Sequence, residues 1–397
     1  MRENSVLIFC LLQITILLTN LTQIPDLVTK NGVKLLSYVP WVLFAFLIIT
    51  LSMRTDDFII GTQKYLYFSV MGILLVCLIL EIQGKNGLDV SLLRPLLISL
   101  FIFVVSMNIG KYIDSSQLND LLLVYAFSGV IVAIFVYRTI LSNGFSWTSR
   151  VYAYNSKNSV SQIILTAILF LIYLHGRKNR LWNIGMEVLI GALIFELFML
   201  KSRASLLGLA IIFISVLISK EYKKSTKIIV ILVLVVFGLI LIFNTHFRYF
   251  FIDSIILAGR DSTNLNSISS GRMDMLIEFP ELFWKKPVIG YGRYYVECMP
   301  LDALIETGII GGVLFNIIAL SPIVYSIKSY ICYRQPIDFL LIIIGICYYI
   351  NGLFEQLAPF GPGVKCYILW LLFGVSVIWR RRYSDENTMD YEYANNI

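Results

Sequence analysis

The chain predicts an all-α integral membrane protein, a single polytopic domain over residues 1–397 with about twelve transmembrane helices. Three observations lead there. Of 397 residues, 58% are hydrophobic and only 14% charged, and the mean hydropathy is +0.80. A water-soluble fold of that composition would lack a polar exterior. The apolar residues come in runs of membrane-spanning length, not in the short alternating segments of a membrane barrel. One long polar interruption, residues 244–302, separates two such runs and predicts a large extracytoplasmic loop.

The apolar segments run near 5–22, 35–53, 65–82, 96–109, 119–138, 159–175, 181–199, 204–219, 228–243, 303–325, 338–353 and 364–379. The first could also be read as a signal peptide. No small-residue cleavage pattern follows it, however, and further hydrophobic segments do. Lys and Arg in the short loops orient the set. Arg54, Lys64, Arg177, Lys178, Arg180, Lys220, Lys223, Lys224, Lys227, Lys328, Arg334 and Arg380–Arg382 fall on one side with both termini. That side is expected to be the cytoplasm, with residues 380–397 as a cytoplasmic tail whose acidic part, Tyr383–Ile397, is flexible. The opposite side keeps Lys30, Lys34, Lys85, Arg94, Arg150, Lys157, Lys201, Arg203, Arg248, Arg260, Arg272, Lys285, Lys286 and Arg293. Either these snorkel to lipid phosphates or some of them meet an anionic ligand on the outer face. Trp41, Trp147, Trp182 and Trp379 lie near helix ends, as an interfacial aromatic belt requires.

Composition also excludes several classes. The net charge of +7 is spread over short inter-helix loops, so nucleic acid is not an expected partner. Only Cys298 of the six cysteines falls in the long loop, which leaves no disulfide framework and no CxxC spacing. Two histidines, His175 and His246, argue against a His-built metal site. No Walker loop, GxSxG or HExxH is present, and no cofactor or metal is expected.

The candidate residues cluster on the outer side. Arg203 lies in the turn Lys201–Ser205, where a forked, permanently charged donor set suits phosphate oxygens. Ser269 or Ser270 can cap a short helix with apolar positions Met275, Leu276, Phe279, Leu282 and Phe283. That single stripe predicts an interfacial amphipathic helix within the loop. Arg272 sits in its first turn, where the dipole slightly disfavours a cation and free N–H groups favour an anion. Lys157 and Asn158 open the sixth helix. Asn158 or Ser159 could cap it, and Lys157 could touch an anion. Gly290 and Gly292 permit positive φ in a turn. Asp302 and Glu306, four apart, share a face at the entry to the tenth helix. There they could act as general bases or compensate the helix dipole. Gly308, Gly311 and Gly312 then allow close helix contacts. Within the seventh helix, Glu187 and Glu196 are costly acids, and Glu196 is expected to pair with Arg203 or Lys201.

Taken together, three stretches resemble the O-antigen ligase/polymerase superfamily of bacterial envelope glycosyltransferases. They are Lys157–Gln162, Ser202–Gly208, and the run from Ser270-Gly271-Arg272 through Gly290-Tyr291-Gly292 to Leu301, Leu304, Glu306, Gly308 and Gly311. The resemblance implies a metal-independent membrane glycosyltransferase in the bacterial cytoplasmic membrane. It would polymerise undecaprenyl-diphosphate-linked oligosaccharide repeat units into O-antigen, capsular or exopolysaccharide chains at the outer face. Arg203 and Arg272 would hold the diphosphate leaving group. Glu297 is the third expected catalytic residue. Lys157, Asn158, Gly290, Gly292, Arg293, Asp302 and Glu306 would bind substrate. A flippase and a chain-length regulator are candidate partners.

One departure matters. Ligases of the family carry His-Asn nine residues before the glutamate, and here Glu297 and Cys298 occupy those places. The resemblance therefore leans to a polymerase, with transfer of finished glycan to another acceptor as the alternative. A polysaccharide flippase is a third reading. It would show internal repeats and polar residues at the bilayer midplane, whereas here the polar residues gather at one face.

Overall fold

The computed structural model describes residues 2–24, 39–52, 63–147, 157–177, 179–261, 263–269, 271–361 and 366–395. Lys30, Lys34, Arg54, Arg150, Lys178 and Ser270, named above, lie outside them. The described residues form helices and turns, with no strand among them. In chain order the helices are α1 (Arg2–Leu21), α2 (Val39–Ser52), α3 (Lys64–Ile82), α4 (Leu93–Ile109) and α5 (Ser115–Ser142). There follow α6 (Lys157–Leu174), α7 (Arg180–Leu200), α8 (Arg203–Ile218), α9 (Lys224–Phe243), α10 (Thr245–Phe250) and α11 (Leu265–Ser269). The last are α12 (Arg272–Lys285), α13 (Met299–Tyr333), α14 (Pro336–Gly352) and α15 (Tyr367–Asn395).

Each predicted apolar segment falls on a helix. By length and composition, α3, α5, α6, α7, α9 and α13 can each cross a membrane. Segments of α1, α2, α4, α8 and α14 are shorter apolar helices. The outer surface of these helices is itself apolar. On α9 only Thr226 and Val230 are buried, while Leu232 and Phe243 are 63% and 80% exposed. A whole helix of such residues faces hydrocarbon, not water.

Local chemistry sets the helix ends. Asn179 Oδ1 accepts from Trp182 N at 3.0 Å and caps α7, and Lys201 at φ 50° ends it. Asn244 closes α9, and its side chain accepts from Phe247 N at 2.9 Å to start α10. Pro300 and Pro336 open α13 and α14, where the missing N–H costs nothing. The tail expected to be flexible continues as helical backbone to Asn395. Between Tyr367 and Asn395 there is no proline and one glycine, Gly374, so no strong breaker stands in the way. The expected loop at 244–302 is likewise largely helical, through α10, a π-turn at Phe251–Ile256, α11 and α12.

Contacts divide the chain into two compact units. The first comprises Met1–Thr15, Val39–Leu118 and Lys285–Ile397. Its centre is α4 against α15, with Phe103 and Phe373 ring centroids 4.8 Å apart and Trp370 fully buried. The indole of Trp370 donates to the Pro359 carbonyl at 3.1 Å, and Ser99 Oγ donates to that of Phe360 at 3.2 Å. In lipid, such helix contacts are held by close packing and interhelical hydrogen bonds, because the tails are as apolar as the side chains. The second unit comprises Ile16–Tyr38 and Asn119–Trp284. Its core helix is α6, on which every residue from Val160 to Leu174 is buried.

Within each unit, loops assigned to one side of the bilayer meet each other. In the first, Arg293 reaches Asp89, both on the predicted outer side. At the other end Trp379 Nε1 donates to the Gly110 carbonyl at 3.3 Å. In the second, Lys201 meets the carbonyls of Ser146 and Trp147, while Lys223 donates to that of Gly176.

Candidate functional site

In the second unit the predicted arginines come together. α6 and α8 run side by side in the same direction, so their N-termini adjoin. Ser202 Oγ donates to Asn158 Oδ1 at 3.0 Å, and Ser205 Oγ donates to Ser161 Oγ at 2.7 Å. Ser161 Oγ in turn donates to the Asn158 carbonyl at 3.0 Å. Asn158 lies in the first turn of α6 instead of capping it, because the helix already begins at Lys157.

Arg203 opens α8 and donates through Nη1 to the Ile268 carbonyl. Arg272 opens α12 and donates through Nη1 to the next carbonyl, Ser269, at 3.2 Å. The two guanidinium groups thus rest on consecutive peptide units, ~3.8 Å apart along the chain. Ser269 Oγ accepts from Met273 N at 3.0 Å, the capping role expected of it. Gly271, at φ 80°, makes the turn between α11 and α12. α12 carries the expected stripe. Met275, Phe279, Leu282 and Phe283 are partly covered, with Phe279 and Phe283 stacked at 5.7 Å, whereas Glu278 and Glu281 are exposed. Leu276, counted in that stripe, is 50% exposed.

Three helices, α6, α8 and α12, therefore begin in one region of this unit, carrying Lys157, Arg203 and Arg272 in their first turns. Helix N-termini present unused N–H groups and a positive dipole end. Arg203 and Arg272 are half-buried beside them.

The expected pairing of Glu196 with Lys201 or Arg203 is not made. Glu196 is 5% exposed and its Oε1 finds no hydrogen-bond partner. Lys201 turns instead to the loop carbonyls after α5, and burial pushes the pKa of its ammonium down. The left-handed turn at Lys201 and the direction of its side chain carry it away from the acid. Glu187, the other membrane acid, meets His175 Nε2 at 2.8 Å, and His175 Nδ1 lies 2.9 Å from Thr226 Oγ1.

In the first unit the other predicted residues form a second arrangement. α13 is interrupted at Gly308, where φ is 66°. The loop at 287–292 fits into that break. Tyr291 N donates to the Ile305 carbonyl and Gly292 N to that of Glu306, both at 2.9 Å, while Ile309 N donates to that of Pro287 at 2.7 Å. A Cβ on Gly290 would stand 2.5 Å from Gly308 N and 2.6 Å from the Glu306 carbonyl, so only glycine fits.

Asp302 and Glu306 have no exposed surface. Asp302 Oδ1 accepts from Val296 N at 2.8 Å, and Oδ2 accepts from Gln356 Nε2 at 2.9 Å. Glu306 Oε1 accepts from Ser91 N and Tyr294 N, both at 3.2 Å. Ser91 Oγ stands 3.2 Å from Asp302 and 3.1 Å from Glu306, and it accepts from Gln356 Nε2 at 2.7 Å. Among the described residues neither acid is ion-paired. Their lone pairs hold backbone N–H groups of two loops, Ser91 N, Tyr294 N and Val296 N. Ser91 and Gln356 were not singled out from the sequence.

Glu297 is exposed, with Tyr295 Oη 3.4 Å from its Oε1. Burial, followed by the Glu297 charge, pushes the pKa of the Tyr295 phenol up. Arg293 Nη1 lies 2.7 Å from Asp89 Oδ2, with both side chains largely exposed.

Comparison with protein-family models found no match, and comparison with curated proteins found none.

Proposed function

We propose that this chain is a bacterial membrane glycosyltransferase that polymerises oligosaccharide repeat units carried on undecaprenyl diphosphate. It would cross the cytoplasmic membrane about twelve times, with both termini in the cytoplasm and the arginine region outside. The observation that carries this reading is the meeting of Arg203 and Arg272 on consecutive carbonyls where α6, α8 and α12 begin. A lipid diphosphate brings two adjacent phosphates to the membrane surface. Fixed cations and helix N-termini would bind them and stabilise their charge as the glycosidic bond breaks.

In the proposed reaction a hydroxyl of the incoming repeat unit attacks the anomeric carbon of the donor glycan. The carbon–oxygen bond to the diphosphate breaks, undecaprenyl diphosphate leaves with the electron pair, and the configuration inverts. The hydroxyl proton passes to a base, and Glu297→Ala tests the residue that the resemblance offers for it. Arg203 and Arg272 act on the leaving group and Lys157 adds charge. Asn158 acts through the Ser202 hydroxyl bond that sets the start of α8.

The test is a strain lacking the protein, supplied with wild type, Arg272→Ala or Glu297→Ala, with surface polysaccharide and lipid-linked intermediates resolved by size. Polymerisation predicts single repeat units without a ladder in the deletion and in Arg272→Ala, and a ladder with wild type. Long chains left on the carrier lipid would make the chain a ligase. Intermediates held in the cytoplasmic leaflet would make it a flippase.

A further inference from the structure

We propose that the cavity at the far end of α13 from Glu306 binds the headgroup of an anionic phospholipid. This cavity of about 760 Å³ lies within the first unit, between the start of α3, the last turns of α13 and the middle of α15. Its mouth carries Lys328, Arg380 and Arg381, and among the described residues no acid lines it. The Arg380 guanidinium carbon lies 5.1 Å from the Tyr325 ring centroid and 5.3 Å from that of Tyr333. Two aromatic faces thus hold one cation in place without neutralising it. Among the described residues, none of the three cations forms an ion pair. Asp338, whose charge also reaches Arg380, is buried and held by the Ser376 hydroxyl.

Position along the helix places the cavity. Lys328 follows Ile309, the first residue past the Gly308 break, by 19 residues, or roughly 29 Å at 1.5 Å per residue. A hydrocarbon core is about 30 Å thick, so the cavity sits at the opposite membrane surface from the Asp302/Glu306 network. A basic pocket between helices at that depth matches a lipid phosphate.

The apolar wall decides between a lipid and a free anion. Ile317, Leu320 and Val324 line the cavity at i, i+3 and i+7 on α13 and lead from Lys328 toward the middle of the helix. Val324 is 62% exposed. A soluble phosphate would use the cations and leave this track empty. A phospholipid uses both, with its phosphate at Lys328, Arg380 and Arg381 and an acyl chain along the track.

The test uses the purified full chain in zwitterionic-lipid nanodiscs, with bound lipid read by native mass spectrometry and stability by thermal unfolding. The probes are phosphatidylglycerol, phosphatidylcholine and glycerol 3-phosphate. Phosphatidylglycerol should bind and raise the unfolding temperature, and the other two should do neither. Lys328→Gln combined with Arg381→Gln should weaken phosphatidylglycerol binding by about tenfold or more. Should that variant fail to fold, Val324→Trp fills the track from an exposed position, leaves the cations in place, and should also lose the lipid. Equal protection by glycerol 3-phosphate would overturn the lipid assignment. Wild-type lipid retention by either variant would overturn the site.

Discussion

Glu306 offers a sharp separation between a residue that does chemistry and one that holds the fold. Its Oε1 accepts two backbone N–H groups, Ser91 and Tyr294, and its Oε2 faces Ser91 Oγ. Glu306→Gln can keep the amide oxygen at the Oε1 position. The new NH₂ then faces a serine oxygen that has two lone pairs and can still donate its proton to Asp302. Every group that Glu306 now bonds keeps a partner, and one of two neighbouring charges is removed. The stability change should stay within about 1 kcal/mol. Glu306→Ala leaves two buried N–H groups without acceptors, at about 1–3 kcal/mol each, so a loss of about 2–6 kcal/mol is expected. Thermal unfolding in detergent reads the first quantity and the polysaccharide ladder reads the second. Near-wild-type ladder and stability for the glutamine variant, with both lost for alanine, fit a positioning residue. A glutamine variant that folds as well as wild type but makes no ladder would refute this reasoning and restore Glu306 as a proton acceptor.

Further perturbations bear on the same two regions and on the helices around them. Arg203→Lys keeps the charge but loses the fork, so ladder synthesis should fall by about tenfold or more while the unfolding temperature barely moves; an unchanged ladder would return Arg203 to a lipid anchor. Gly290→Ala adds left-handed strain and a backbone clash at 2.5 Å, and should cost about 2–4 kcal/mol through strain and lost loop hydrogen bonds. Gly271→Ala is its control in the same unfolding assay, since φ is 80° there too but nothing lies within 4 Å, leaving about 1–2 kcal/mol of strain alone. Asp114 Oδ1 accepts from Gln117 N at 2.8 Å at the start of α5, so Asp114→Ala should cost about 0.5–2 kcal/mol. That backbone hydrogen bond holds the Asp114 carboxyl below its ordinary 3.8. Its contribution is therefore complete above pH 3.8 and is lost as pH falls through the lower folded value, and a stability–pH profile of wild type minus Asp114→Asn should show that loss.

What the sequence could and could not tell follows from where the physical signal resides. Apolar runs of spanning length specify helices outright, because a lipid environment leaves the backbone no other way to satisfy itself. Asn179, Pro300 and Pro336 set helix starts by their own chemistry, though they were not singled out from the sequence. The helical backbone of the tail has a related reason: polarity argues for exposure, but without a breaker it does not argue against helix. Arg203 and Arg272 stood out because a cation in the first turn of a helix has no local reason to be there. Their acceptors, the carbonyls of Ile268 and Ser269, left no trace in the sequence, since every residue has a carbonyl. Asp302 and Glu306 show the same asymmetry. Their spacing announced a shared face, but the groups across from that face are a serine on one distant loop, backbone N–H groups on two, and Gln356 beyond α14. A carboxylate surrounded by N–H donors and one surrounded by substrate have the same sequence. Only the tertiary arrangement separates them, and here Asp302 and Glu306 face backbone N–H groups of the loops.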